Sequence, residues 1–271
     1  MSPYDGQARR AAKGGSGWVG YLIQLTETCE PSTPNLITHV ATTDSAAGDR
    51  KMTQVIQADL AARGRLPSVH LADGNAIDGR NLLVARAQGF ERLGPVEGNT
   101  SKQTAGQYAL DAFAINWDAR TVTCPAGKAT TQWYPKTDSK GLSVIRVRFR
   151  RFECLPCPYR GECLESGTAP RREVVLRPRA EHEAIRQNRS AQRDPAWRRR
   201  YQQRNGIEAA VSQGVRAFGM RRSRYRGQSR TYLQHAFTAA AMNLARLDAW
   251  TLGTPRETTR NARFEDLRPT A

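Results

Sequence analysis

One carboxylate among many cations is the feature of this chain with the plainest chemistry. Glu208 falls near the start of an apolar-striped helical pattern. That pattern runs into Arg221, Arg222, Arg224, Tyr225 and Arg226. An acid can hold a divalent cation through hard oxygen ligands, and guanidinium groups grip phosphates. Together they suit a metal-dependent enzyme acting on a polyanion. The plainer reading of the same residues is a basic amphipathic helix with one charge-balancing Glu. A second acid, Asp73, closes the short apolar run Val69-His-Leu-Ala72 at a turn signal, Asp73-Gly-Asn. From spacing alone it caps that turn.

A third group could hold metal of another kind. Cys154-Leu-Pro-Cys157 has the knuckle spacing that lets two thiolates reach one zinc, and Cys163 and Cys124 could complete four ligands. The alternatives are a redox pair or plain buried thiols. Cys29 stands apart as an ordinary cysteine. His39, His70, His182 and His235 form no ligand spacing with one another. His182 is expected to be solvated and His235 to pack on the last helix. The five tryptophans are expected in the core.

These residues must be carried by elements that the periodicity predicts. Trp18–Leu25 and Leu36–Thr43 read as strands, and Met52–Ala62 as a helix. Val69–Ala72 reads as a strand, Arg80–Ala87 as a helix and Phe90–Val96 as a strand. This alternation implies an α/β sheet. After about residue 111 the texture becomes β-rich. There Ile145, Val147 and Phe149 alternate with Arg146, Arg148 and Arg150, a strand with one apolar and one cationic face. Asp194-Pro195 signals a helix start. Leu233, Phe237, Ala240, Leu244 and Leu247 mark a strongly amphipathic final helix. The division expected is residues 1–110, 111–178 (the cysteine-bearing part), 179–252 and a polar tail, 253–271.

The chain has 271 residues and a formal net charge of +17. Most of its 42 Lys and Arg lie between Arg120 and Arg230, where acids are few. Such a balance points to a polyanionic partner, most often nucleic acid. No apolar run approaches the ~20 residues of a membrane span, and the start has no signal-peptide core. A cytoplasmic protein with no membrane partner is expected.

Several stretches resemble, in order, the C-terminal portion of bacterial insertion-sequence transposases of the DDE type. They are similar to the branch with a cysteine-bearing insertion before the last acid. The stretches are Ser2-Pro-Tyr-Asp5, Leu25-Thr-Glu-Thr-Cys29, Leu36-Ile-Thr-His-Val40, His70-Leu-Ala-Asp73, Leu93-Gly-Pro-Val96 and Cys124-Pro-Ala-Gly127. Four more follow: Cys154-x-x-Cys-Pro-x-Arg-x-x-Cys163, Tyr201-x-x-Arg-x-Gly-Ile-Glu208, Arg222-Ser-Arg-Tyr-Arg-Gly227 and Leu233-Gln-His235. The resemblance implies an RNase H-like core with a β-rich, cysteine-containing insertion and C-terminal helices. In that fold two Asp and one Glu bind two Mg²⁺ ions for DNA cleavage and strand transfer. Asp73 matches the second acid and Glu208 the third. Arg221, Arg222, Arg224, Tyr225 and Arg226 would lie near the DNA of the transposon ends. Transposases of this kind commonly act as dimers.

Departures accompany the match. The family's first Asp lies upstream of Ser-Pro-Tyr-Asp, so an N-terminally incomplete core is expected. Asp44 and Asp49 follow the wrong strand to replace it. Gly20-Tyr-Leu-Ile-Gln24 stands where Gly-Tyr-Lys-x-His belongs, and Asp73-Gly-Asn-Ala76 where Asp-Ala-Gly-Tyr belongs. An aromatic near Lys102 is absent. The expectation is a chain that does not transpose DNA alone, the alternative being a non-catalytic, zinc-stabilised DNA-binding remnant.

Overall fold

The computed structural model describes residues 2–13, 15–45, 49–96, 108–139, 141–164 and 168–254. The position near Lys102 and the tail beyond 254 lie outside these. In chain order the strands are β1 (Arg9–Lys13), β2 (Ser16–Glu27), β3 (Ile37–Asp44), β4 (Val69–Leu71), β5 (Glu91–Leu93), β6 (Ala114–Asn116), β7 (Thr121–Thr123), β8 (Ala129–Thr130), β9 (Trp133–Thr137), β10 (Ser143–Arg148) and β11 (Glu173–Leu176). The helices are α1 (Asp49–Ala62), α2 (Gly79–Ala87), the single turns α3 (Arg151–Cys154) and α4 (Arg160–Cys163), then α5 (Arg179–Ala191), α6 (Pro195–Gln202), α7 (Gly206–Ala217) and α8 (Gln228–Thr251). Two compact units form: Met1–Pro67 with Arg198–Ala271, and Ser68–Trp197.

The first unit is an antiparallel sheet in the order β1-β2-β3 with α1, α7 and α8. The β-branched run of β3 buries Ile37, His39, Thr42 and Thr43. Its polar members are held by specific partners. His39 Nε2 meets Asp59 Oδ2 of α1 at 2.7 Å, and Thr42 Oγ1 meets His235 Nδ1 of α8 at 2.8 Å. Asn243 of α8 exchanges two hydrogen bonds with the backbone of Ile37, at 2.8 and 2.9 Å, and so satisfies part of an otherwise open strand edge. Ile37, Ala210, Ala239 and Met242 form the core, with Leu25, Val40, Ile207 and Phe218 against it.

A buried ion pair ties three elements of this unit together. Arg246 of α8 donates from Nη1 to Glu27 Oε2 (2.9 Å) and to the Asn35 carbonyl (2.7 Å), and from Nε to Gln213 Oε1 of α7 (3.0 Å). The two charged side chains are 15% and 5% exposed.

The apolar residues that mark the period of α8 lie on its solvent-facing side. The buried face carries Thr231, His235, Ala239 and Met242. Leu233, Phe237, Ala240, Leu244 and Leu247 face solvent. Hydrogen bonds of His235 and Asn243 to β3 select the inward face, and a count of apolar residues does not register them.

The second unit begins with a β4–α2–β5 unit whose strands are parallel. Asp78 caps α2, its Oδ1 accepting from Asn81 N at 2.7 Å. Helix α5 packs so closely on α2 that a Cβ on Gly79 would lie 2.7 Å from Glu181 atoms. Antiparallel sheets β6-β7-β8 and β11-β10-β9 follow. Phe113, Val122, Val147, Phe149, Val174 and Leu176 form their core. Trp117 and Trp133 meet edge-on at 5.5 Å. The two cations of β10 share one carboxylate across the sheet: Glu173 of β11 pairs with Arg146 at 3.0 Å and Arg148 at 2.7 Å.

Two sequence expectations need correction. His182 is buried, not solvated, and its ring lies 5.4 Å from Trp117. Burial pulls its pKa below the usual imidazole value. Trp250 is exposed rather than core.

Candidate functional site

Asp73 lies just after β4, in the second unit. Strand β4 is fixed beside β5 by the bond from Ala72 N to Leu93 O at 2.9 Å. The Asp73 carboxylate accepts from Ala76 N at 3.2 Å and caps a 3₁₀ turn, Gly74–Ala76, the role its spacing suggested. Gly94 on the neighbouring segment has no room for a side chain. A Cβ there would run into the Ala72 carbonyl and lie 2.8 Å from Ile77 Cγ1. Arg92 of β5, aligned with His70, is 4% exposed and stacks on Phe90. Burial lowers its pKa to about 10, and its Nε and Nη2 meet no hydrogen-bond partner. Nothing in the local pattern Phe90-Glu-Arg-Leu93 signals a buried guanidinium.

Glu208 lies in the first turn of α7, in the first unit. Its side chain is 68% exposed and pairs with Arg204 one turn earlier, 3.2 Å away. As an acid at a helix N-terminus it also complements the helix dipole. Below it, Gly214 leaves the space that the Met220 and Met242 side chains fill.

The arginine tract is the loop between α7 and α8. Arg221, Arg222, Arg224, Tyr225 and Arg226 are all exposed. Their backbone is nevertheless clamped. Gln234 of α8 donates to the Arg222 carbonyl at 2.7 Å and accepts from Arg224 N at 2.8 Å. Ser223 Oγ donates to the Tyr225 carbonyl at 2.8 Å. At the loop's end Gly227 adopts φ of 89°, and its N–H donates to Asp5 Oδ2 at 2.9 Å. Tyr21 also donates to Asp5, at 2.8 Å. The Gly227 amide and the Tyr21 hydroxyl hold the Asp5 carboxyl below the usual carboxylate range. Burial and the Asp5 charge push Tyr21 up to about 12. Arg226 reaches back over the Tyr4 ring, 5.9 Å from its centroid. The result is a row of exposed cations on a backbone that does not have to be ordered when an anion arrives. Asp5 and Gln234 are the residues that sequence reasoning missed. Both lie in the motif stretches, but their partners are over 200 and about ten residues away.

The cysteines gather as their spacing suggested. Cys124, Cys154, Cys157 and Cys163 line one cavity of about 30 Å³, together with Tyr108, Phe149 and Arg172. Burial pushes the Cys154 and Cys163 thiols up. All are free thiols. Among the described residues, however, no group of three or more His, Cys, Asp or Glu is set to hold a metal ion. The sulfurs share a cavity without forming a ligand shell, and neither Asp73 nor Glu208 stands in an acidic cluster.

Residues 123–248 match the family model described as Transposase DDE domain. Over these residues the chain is similar to the DDE transposases. The matched stretch carries the four cysteines, Glu208 and the whole arginine loop, while Asp73 lies before it. No curated protein and no solved structure matches the chain. Among the described residues no helix is long and apolar enough to cross a membrane.

Proposed function

We propose that the chain serves DNA transposition by metal-dependent phosphoryl transfer. The observation that carries this reading is the family match, which spans Glu208 on α7 and the clamped arginine loop. Glu208 and Asp73 are the metal-binding carboxylates of the reading. Arg221, Arg222, Arg224, Tyr225 and Arg226 contact the DNA backbone at the transposon ends. The order of three antiparallel strands, then helix, strand, helix and strand, supports an RNase H-like core. Bound Mg²⁺ would supply Lewis acidity to the reacting phosphodiester. What the protein's own groups supply is phosphate binding by the loop and hard oxygen ligands from the two acids. Two acids give fewer than the three that this chemistry uses, so the chain alone binds DNA and does not transpose it. The transposase acts as a homodimer in the cytoplasm.

Zinc in the cysteine cavity is the finer part of the proposal. Its support is the common lining of one cavity by four thiols. Metal content of the purified chain tests it: one zinc lost together with about 10 °C of thermal stability on chelation is expected. A metal-free protein of unchanged stability overturns it.

Two assays on the purified chain test the main proposal: duplex-DNA binding, and strand transfer on a donor carrying the transposon ends. Binding without strand transfer is expected. Strand transfer abolished by Asp73→Ala shows that the acid set is complete and overturns the incomplete-site part. Absence of DNA binding overturns the whole reading.

A further inference from the structure

The solvent-facing stripe of α8 has a spacing of its own. Leu233, Phe237, Ala240, Leu244 and Leu247 follow each other at intervals of four, three, four and three residues. That is the a/d repeat of a helix seam, which packs side by side on a second helix. On a wheel of about 100° per residue the five fall within about 40° of one line, opposite Met242 on the buried face. Phe237 and Leu244 are each 68% exposed. A continuous apolar line of this kind is uncommon on a surface that stays wet.

We infer that this stripe is the contact between two copies of the chain, packed as antiparallel α8 helices around Ala240. A twofold interface needs a patch that complements itself, and the stripe does. Leu233 and Leu247 lie seven residues to either side of Ala240, so each meets the other's counterpart in the second copy. Phe237 and Leu244 lie three and four residues away and interdigitate. Ala240, the small residue, falls on the axis and lets the backbones approach. The charges agree as well. Arg230 precedes Ala240 by ten residues and Asp248 follows it by eight, about 15 and 12 Å along the axis at 1.5 Å per residue. Both flank the stripe on the same side, and both are exposed. In the antiparallel pair each Arg230 therefore meets Asp248 of the second copy, within about 3 Å of axial offset. A parallel pair leaves Arg230 and Asp248 of the second copy on opposite flanks of the seam, about 27 Å apart along the axis. This interface rests on the homodimer part of the proposed function and not on its metal chemistry.

The test is sedimentation equilibrium of the nuclease-treated full chain at about 50 mM salt, where exposed charge pairs are least screened. A concentration-dependent dimer is expected. Phe237→Glu with Leu244→Glu abolishes it without changing the circular dichroism spectrum. Arg230→Asp alone, or Asp248→Arg alone, weakens the dimer about tenfold or more, since each change turns two attractive pairs into repulsive ones. The two together restore it, which a merely misfolded variant cannot do. A dimer indifferent to these substitutions overturns the α8 contact while leaving a homodimer standing. A monomer at every concentration overturns both.

Discussion

The arginine loop makes a quantitative forecast. Arg221, Arg222, Arg224 and Arg226 are exposed, and their backbone is held by Gln234, Ser223 and Asp5. If each neutralises one phosphate of duplex DNA, they contribute a slope of about −3.6 to the plot of log affinity against log salt, at about −0.9 per phosphate. Between about 50 and 200 mM salt this alone lowers the affinity about 150-fold. Replacing Arg222 and Arg224 by Ala removes about −1.8 from the slope and leaves the loop contributing only about a 12-fold loss over the same range. The assay is fluorescence anisotropy of a labelled duplex across that range, on the wild-type chain and the double variant. Gln234→Ala is the companion: it frees the loop without removing charge, so affinity falls while the slope stays. A double variant with the wild-type slope refutes the assignment of this loop to phosphate, whatever its effect on affinity.

Three further outcomes follow from the packing. Arg246→Met takes the guanidinium away from the buried Glu27 carboxylate and from Gln213 and Asn35, so unfolding in urea should show a loss of about 3–5 kcal/mol at unchanged slope; a loss below about 1 kcal/mol contradicts the pairing seen here. Gly94→Ala forces the Ala72 carbonyl and Ile77 aside, next to Asp73, at a cost of about 1–3 kcal/mol, and wild-type stability in the same titration speaks against the close approach. His182 and His235 have pKa values lowered by burial. The unfolded chain therefore takes up protons near pH 6.5 that the folded chain resists, so stability is full above that pH and declines as pH falls below it. Urea midpoints from pH 7.5 to 5 should drop more steeply for the wild type than for a chain carrying His182→Gln and His235→Gln, and equal pH slopes argue against these two groups as the cause.

Much of the architecture was legible in the chain. The β-branched run Leu36–Thr43 and the short apolar run Val69–Ala72 became β3 and β4 with ends shifted by a residue or so. Asp194 caps α6 as its place before Pro195 foretold, accepting from Ala196 N at 2.8 Å. The C-x-x-C knuckle and its two distant partners do share one cavity. What escaped was non-local. The α8 pattern contains two faces, and only the hydrogen bonds of His235 and Asn243 to β3 decide which turns inward. His182 has a polar neighbourhood in sequence and an aromatic one in space. The β10 arginines look like a cationic face until Glu173, 25 residues after Arg148, comes alongside. The arginine loop owes its shape to Asp5, more than 200 residues earlier.

The central claim is that Asp73 and Glu208 serve one metal-dependent chemistry on DNA. Its most direct test is Mn²⁺ binding to the DNA-bound chain, followed by water-proton relaxation, in the wild type and in Asp73→Ala and Glu208→Ala. The account predicts bound Mn²⁺ in the wild type and loss of most of the affinity in both variants, with DNA binding retained. Mn²⁺ binding that neither substitution disturbs would contradict it, leaving the two acids as the turn cap and the Arg204 partner they are seen to be.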